Sequence, residues 1–99
     1  DVFSSIRNVA MKLKPENGKI ILFGSQARGD AQEDSDWDIL ILLDKDKIEV
    51  TDHDQFTYPF WELGWKINAM IHVYTLKEWS TRSHTPFRDN VELYGIALC

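Results

Sequence analysis

Cysteine is almost absent from this chain of 99 residues: the single one is Cys99, so no disulfide can form between two cysteines of the chain. Long apolar runs are absent too, since none approaches the ~18 residues that suggest a membrane-spanning helix. The chain also begins without a recognisable secretory leader. These absences predict a protein of the reducing cytoplasm that has no membrane association.

Positive charge is scarce, because 11 lysines and arginines face 16 aspartates and glutamates, for a net charge of −5. Proteins that bind long nucleic acids usually carry a basic surface, so long polynucleotide partners are disfavoured. The apolar content of 43% is that of a globular protein. We expect one domain over residues 1–99, because a chain of this length supports one modest core.

The hydrophobic pattern predicts short strands between amphipathic helices. Strands are expected at residues 19–23, 36–43 and 66–74, with a short edge strand at 96–98, and helices at 2–13, 51–63, 75–79 and 86–94. Pro59 disturbs the second of these helices, which we expect either to kink there or to begin near Tyr58. The predicted fold is α/β (α+β), a small mixed sheet of about 3–4 strands flanked by helices.

Two of these helices have a recognisable apolar face. Phe56, Phe60 and Leu63 share one helical face, and the last helix is expected to bury Phe87, Val91 and Tyr94.

The most informative stretch begins where the first predicted strand ends, at Gly24 and Ser25. Gly24 lets the backbone approach a ligand closely, and Ser25 is a favourable N-cap for a short helix through Arg28. Gly29 can adopt the left-handed conformation that ends such a helix. A strand that leads into a turn and a helix N-terminus presents free backbone N–H groups, so this stretch predicts a phosphate-binding site.

Two carboxylates open the next predicted strand. Asp36 and Asp38 would point to one side of it, while Trp37 and Ile39 point to the other. Paired carboxylates repel each other unless a cation lies between them, and oxygen ligands beside a phosphate site favour Mg²⁺ or Mn²⁺. The pair and the turn together indicate metal-assisted nucleotidyl transfer. The structural alternative is an ordinary strand-to-helix turn followed by two solvated carboxylates.

The spacing of these residues resembles the GSxARG…SDxD signature of the polymerase-beta-like nucleotidyltransferases, and specifically of the minimal nucleotidyltransferases of bacteria and archaea. The signature is specific over residues 20–43, and the order of predicted elements extends the resemblance towards the C-terminus. It is carried by Gly24, Ser25, Arg28, Gly29, Ser35, Asp36 and Asp38.

The resemblance implies Mg²⁺- or Mn²⁺-dependent transfer of NMP from an NTP, with ATP as the expected nucleotide, to a hydroxyl on a protein or small molecule, releasing pyrophosphate. Asp36 and Asp38 would then be catalytic and hold the metal. Minimal family members often act as the antitoxin that adenylylates a toxin, so a separate helical partner protein of HEPN type is implied. The implied nucleotide-binding residues are Gly24, Ser25, Arg28 and Ser35.

The sequence departs from the family at the third carboxylate, which many relatives carry on the following strand. Asn68 stands there, and an amide can ligate a metal weakly but cannot accept a proton as a general base. His72, on the same strand face as Asn68, and Glu62 are alternative bases, although a satisfied, partly buried histidine is the favoured interpretation of His72. His53, between two aspartates, is either a metal ligand or part of a helix cap.

The missing carboxylate leaves a second hypothesis open, in which the chain is a catalytically weakened module that binds a nucleotide or a partner. An interaction surface would suit that role, but we expect most of the available aromatic residues to lie in the core: Tyr58, Trp61, Trp65, Tyr74 and Trp79.

Overall fold

The computed structural model describes residues 1–65 and 67–99. Helices and short strands alternate along them as the hydrophobic pattern predicts. The elements are α1 (Val2–Leu13), β1 (Lys19–Phe23), α2 (Ser25–Arg28), β2 (Trp37–Leu43), α3 (Val50–Trp61), β3 (Ala69–Thr75), α4 (Leu76–Ser80), α5 (Pro86–Tyr94) and β4 (Ile96–Ala97).

The described strands form one mixed four-stranded sheet in the order β3-β2-β1-β4. β1 runs antiparallel to β2 and β4, whereas β2 and β3 are parallel. Both inner strands are almost continuously apolar, and residues 39–43 of β2 are all buried. The predicted α/β architecture with a small mixed sheet is therefore confirmed.

The two faces of the sheet are covered by different helices. On one face, Ile39 and Ile41 form a core with Ile6 of α1 and with Phe56 and Phe60 of α3, which we call the α1–α3 core. The intervening Leu40 and Leu42 pack on the other face, against Val91 and Phe87 of α5. This alternation follows from the two-residue period of a strand and explains why β2 has no polar position after Asp38.

Helix α3 passes through Pro59 without stopping, so the predicted alternative of a start near Tyr58 is wrong. An interior proline costs about 3 kcal/mol. Phe56 and Phe60, on either side of it, are both buried, and each contributes about 1.5–3 kcal/mol. The helix begins at Val50, where the backbone N–H of Glu49 donates to Asp52.

Side-chain caps set the starts of the last two helices, as predicted. The backbone N–H of Glu78 donates to Thr75 Oγ1 at 3.0 Å, and Thr75 N–H donates back to the Glu78 carboxylate at 2.9 Å. At α5 the cap is one-sided: Thr85 Oγ1 accepts from Arg88 N–H at 3.2 Å. Tyr94 is an error of the prediction: it is half exposed, because α5 turns this position away from the sheet.

Strand β3 starts later than the sequence indicates. Before it, Ile67 N–H donates to Gly64 O and Ala69 N–H donates to Ile67 O, and both Ile67 and Asn68 lie outside the strand. The predicted first residue, Lys66, lies outside the described residues. From Ala69 onward the predicted alternation holds, with Ile71 and Val73 facing the α1–α3 core.

The expected burial of the aromatic residues is only partly right. Tyr74 and Trp79 pack against the core on the second face of the sheet, which contains Leu40, Leu42 and Val91 and which we call the α4–α5 core. Tyr58, Trp61 and Trp65 are exposed, because α3 turns the first two outward and the chain leaves the helix before the third. Within residues 1–65 and 67–99, no helix is both long and apolar enough to cross a membrane.

Candidate active site

Gly24 and Asp38 meet where β1 ends and β2 begins. The antiparallel register pairs Phe23 with Asp38, so the residue after the strand lies against the Asp38 side chain. Gly24 has φ 78° and ψ −161°, a combination that is essentially restricted to glycine. A Cβ at this position would overlap Asp38 Oδ2. The turn therefore needs glycine both for its backbone and for the space that the carboxylate occupies.

Gly24 is also the N-cap of α2, so the prediction that Ser25 caps this helix is wrong. The carbonyl of Gly24 accepts hydrogen bonds from Ala27 N–H at 3.1 Å and Arg28 N–H at 3.0 Å, which makes Ser25 the first helical residue. The predicted end of the helix is confirmed, because Gly29 is left-handed with φ 89° and ψ 9°.

Asp36 and Asp38 lie on one side of the chain, as predicted. Trp37 and Ile39 pack in the α1–α3 core, so the two aspartates face the α4–α5 side. Burial of the carboxyl group raises the pKa of Asp38. His72 and Arg28 act in the opposite direction and lower this pKa, whereas the neighbouring carboxylate of Asp36 raises it further.

His72 pairs with Leu40 in the parallel register, two positions beyond the pair that Asp38 forms with Met70, so it lies on the same side as Asp38. Its ring centroid is 5.3 Å from that of Phe23 and 5.7 Å from that of Phe87. The histidine is thus partly buried in an aromatic cluster, within electrostatic range of Asp38.

Asn68 is brought next to the carboxylate pair. Its side-chain Nδ2 donates to Asp36 Oδ1, and its carbonyl accepts from Trp37 N–H at 2.9 Å. The amide therefore stands beside Asp36, at the place where the resemblance implies a third carboxylate. Glu62 lines a separate cavity with Val9 and Leu13 of α1.

Ser35 and His53 have local partners. Ser35 Oγ accepts from Gln32 N–H at 2.7 Å, and the Ser35 carbonyl accepts from Gln26 Nε2 at 3.3 Å, which ties the connection before β2 to α2. His53 Nδ1 lies 3.4 Å from Thr57 Oγ1, one helical turn on. The neighbouring Asp52 carboxylate contacts Lys45 Nζ at 2.5 Å, and that contact lowers its pKa.

Asn90 is a residue of this region that sequence reasoning missed. Its side-chain oxygen accepts a hydrogen bond from Gly24 N–H at 3.3 Å, so α5 holds the start of the glycine turn. The two residues are 66 positions apart, and an asparagine on an amphipathic helix carries no sequence signal for such a contact.

The donor set suits a divalent cation that also binds a nucleotide. Across the described parts of the chain, no group of three or more His, Cys, Asp or Glu side chains could hold a metal. Asp36 and Asp38 offer two carboxylates, and Asn68 offers an amide oxygen after a flip of its side chain. Mg²⁺ is commonly bound through one or two carboxylates together with substrate phosphates and water, so the residues fit the ion.

The structure thus sets the strand-to-helix glycine turn directly against the Asp-x-Asp pair. The family profile described as "Nucleotidyltransferase domain" matches residues 4–95. The chain belongs to this family, whose activity is nucleotidyl transfer.

Two relatives from Methanocaldococcus jannaschii carry more specific names. The chain is 34% identical over 100 residues to "Putative protein adenylyltransferase MJ0141", covering 93% of this chain and 89% of that protein. It is 65% identical over 53 residues to "Putative protein adenylyltransferase MJ0604", covering 54% of this chain and 51% of that protein.

A solved structure shares the fold. Its description is "Crystal structure of the toxin-antitoxin with AMP-PNP", and the match has a TM-score of 0.63 at 21% identity over 94% of this chain and 72% of that one. At this identity the likeness concerns the architecture alone.

Proposed function

We propose that the chain is an Mg²⁺-dependent adenylyltransferase that moves AMP from ATP to a hydroxyl of a polypeptide. The observation that carries the proposal is the packing of the Gly24 turn directly on Asp38, with Asp36 and Asn68 alongside. The names of the two M. jannaschii relatives favour a protein acceptor and an adenylyl group. The nucleotide analogue in the solved neighbour agrees with use of an NTP.

In this proposal the acceptor oxygen attacks the α-phosphorus of ATP, and the bond to pyrophosphate breaks. The turn at Gly24 and Ser25 holds the triphosphate through backbone N–H groups and the Ser25 hydroxyl. Arg28 supplies positive charge near it. Mg²⁺, held by Asp36 and Asp38, would neutralise charge on the phosphates during transfer.

The amide at Asn68 limits proton transfer. It cannot accept the proton of the acceptor hydroxyl, so in this scheme that proton is released to solvent. Asn68 instead positions Asp36 through the hydrogen bond from Nδ2 to Oδ1. We therefore expect slow turnover that depends on the acceptor more than on a built-in base.

An antitoxin role belongs to the same proposal. The toxin–antitoxin neighbour favours a partner protein as the acceptor, and the family resemblance favours a helical partner of HEPN type. A second candidate function, a nucleotide-binding module without turnover, is favoured by Asn68 alone, since it occupies the third-carboxylate position beside Asp36.

The test is incubation with Mg²⁺ and ATP radiolabelled at the α-phosphate, in the presence of protein extract from the source organism. We expect label on a polypeptide, and its loss in Asp36→Asn and Asp38→Asn. Leu93→Ala, an exposed position on α5, is the matched control and should label as the unaltered chain does.

Calorimetry with MgATP separates the two candidates. ATP affinity without transfer, unchanged by Asn68→Asp, would contradict the enzyme and support the binding module. Transfer that increases in Asn68→Asp would show that the missing carboxylate limits the rate.

A further inference from the structure

Helix α5 covers the face of the sheet towards which the two aspartates project. Its buried side packs on the end of β1, where the centroid of the Phe87 ring lies 5.2 Å from that of Phe23, and Val91 shares the α4–α5 core with Phe23. Asn90 belongs to the same side of the helix, because it follows Phe87 by three positions and directly precedes Val91. The helix therefore brings one polar side chain to Gly24, the residue that follows Phe23.

The hydrogen bond to Gly24 fixes the orientation of the Asn90 amide group. The backbone N–H of Gly24 can only donate, so the atom that faces it at 3.3 Å is Oδ1, and Nδ2 lies at the other end of the amide. Nδ2 makes no hydrogen bond within the described residues. Among these residues, Arg82 Nε is the one buried side-chain nitrogen or oxygen that lacks a partner. Because Asn90 Nδ2 is not such a buried atom, it is a donor that reaches solvent.

Gly24 connects this amide to the carboxylate pair. The N–H of Gly24 faces Asn90, while Asp38 Oδ2 fills the space where a Cβ of residue 24 would stand. Asn90 and Asp38 thus flank a single residue, and both lie on the α4–α5 side of the sheet. A triphosphate bound between the turn and a metal on the aspartates would lie beside Nδ2.

The charges around the turn make an uncharged donor useful there. Arg28 is the cation whose charge acts on Asp38, and its Nε already contacts Asp30 at 3.4 Å. An amide has no charge that a neighbouring carboxylate can neutralise. Hydrogen bonds to an ionised acceptor are worth more than those between neutral groups, so one amide donor at this place is enough to change nucleotide affinity measurably.

We propose that Asn90 is a nucleotide-binding residue that uses both ends of its amide. Oδ1 positions the glycine turn through Gly24 N–H, and Nδ2 donates to a non-bridging oxygen of the triphosphate. The inference rests on the proposed function for the identity of the ligand. It extends that function by making α5 one wall of the nucleotide site.

An isosteric substitution separates the two ends of the amide. In Asn90→Asp one oxygen still accepts from Gly24 N–H, while Nδ2 is replaced by an oxygen that repels phosphate. Leu93→Asp is the matched control, because it adds the same charge at an exposed position of α5, one turn further on. Circular dichroism first checks that each variant is folded.

Affinity for MgATP is then measured by calorimetry at about 0.1 M and about 1 M salt, between which the screening length falls from about 10 Å to about 3 Å. We expect Asn90→Asp to weaken MgATP binding by at least about tenfold at both salt concentrations. Leu93→Asp should weaken it by less than about twofold at low salt and not at all at high salt, because its repulsion acts only at long range.

Side-chain amide signals of the unaltered chain give a second readout, which does not depend on whether Asn90→Asp folds. In nitrogen–proton correlation spectra, the Nδ2 signals of Asn90 should shift as MgATP is added and stop shifting at saturation. Asn8 is the internal control, since it is exposed on α1, on the other side of the sheet. Its signals should stay in place.

An Asn90→Asp variant that binds MgATP within about twofold of the unaltered chain would overturn the proposal, even if AMP transfer is found. Equal weakening by Leu93→Asp, or Asn90 signals that do not move at saturation, would overturn it as well. If the unaltered chain binds no MgATP up to about 1 mM, the proposal and the proposed function both fail. MgATP binding that depends on Asn90 in a chain that transfers no AMP would refute the proposed enzyme and support the role of Asn90.

Discussion

Two glycines at the ends of α2 make a matched pair for testing how the active-site turn is built. Gly24 and Gly29 both have positive φ, 78° and 89°. A Cβ at Gly24 would overlap Asp38 Oδ2 and lie 3.1 Å from Cγ and 3.3 Å from Cβ of the same side chain. A Cβ at Gly29 would meet nothing within 4 Å. Alanine at the two positions therefore shares backbone strain and differs in the collision with Asp38.

The magnitudes follow from this difference. Gly29→Ala should cost about 1–2 kcal/mol, the penalty of a left-handed non-glycine residue. Gly24→Ala should cost about 1–3 kcal/mol for its backbone, plus about 0.5–1.5 kcal/mol for forcing Asp38 from its rotamer. For a chain of this size each kcal/mol lowers Tm by roughly 4–8 °C.

A double-mutant cycle isolates the collision. Urea unfolding followed by tryptophan fluorescence is measured for each glycine variant with Asp38 intact and with Asp38→Ala. We expect a coupling energy of about 0.5–1.5 kcal/mol between positions 24 and 38, and none beyond ~0.3–0.5 kcal/mol between 29 and 38. Coupling that is absent at position 24, or equal at both glycines, would refute the close packing of turn and carboxylate.

Three further predictions concern single residues. Because burial raises the pKa of Asp38 above its ordinary 3.8, the folded chain holds that proton more tightly than the unfolded chain. Stability is then lost as pH rises from about 3.8 to the raised pKa. Asp38→Asn should accordingly raise Tm at pH 7 while abolishing AMP transfer, and an unchanged or lower Tm at pH 7 would contradict this. Asn90→Ala removes the acceptor of the hydrogen bond from Gly24 N–H. It should raise the KM for ATP and lower the free energy of unfolding by about 1 kcal/mol. A loss of stability with an unchanged KM would limit Asn90 to a structural role. Phe60→Ala, at a fully buried position, should cost about 3–5 kcal/mol by urea unfolding, and a cost below 1 kcal/mol would contradict its place in the core.

Much of the local structure could be read from the sequence because it depends on near neighbours. The bounds of α1 and β1 were predicted in full, and the caps at Thr75 and Thr85 were found from residues three positions apart. The Asp-x-Asp pair points to one side because a strand has a period of two. The predictions of burial failed at three aromatic residues that the structure leaves exposed, namely Tyr94, Trp61 at the end of α3 and Trp65 beyond it.

Tertiary structure decided the contacts between distant segments. Sequence reasoning placed Gly24 in a turn, but only the antiparallel register of β1 and β2 sets it against Asp38. Asn90 reaches Gly24 because α5 crosses the sheet face beside β1, and Asn68 reaches Asp36 because β3 lies parallel to β2. The sequence by itself determined the family signature, the strands and the helix caps, since these rest on residue type and short spacing. Which polar groups meet at the active site, and that two tryptophans stay exposed, depends on how the strands pair and which faces the helices cover.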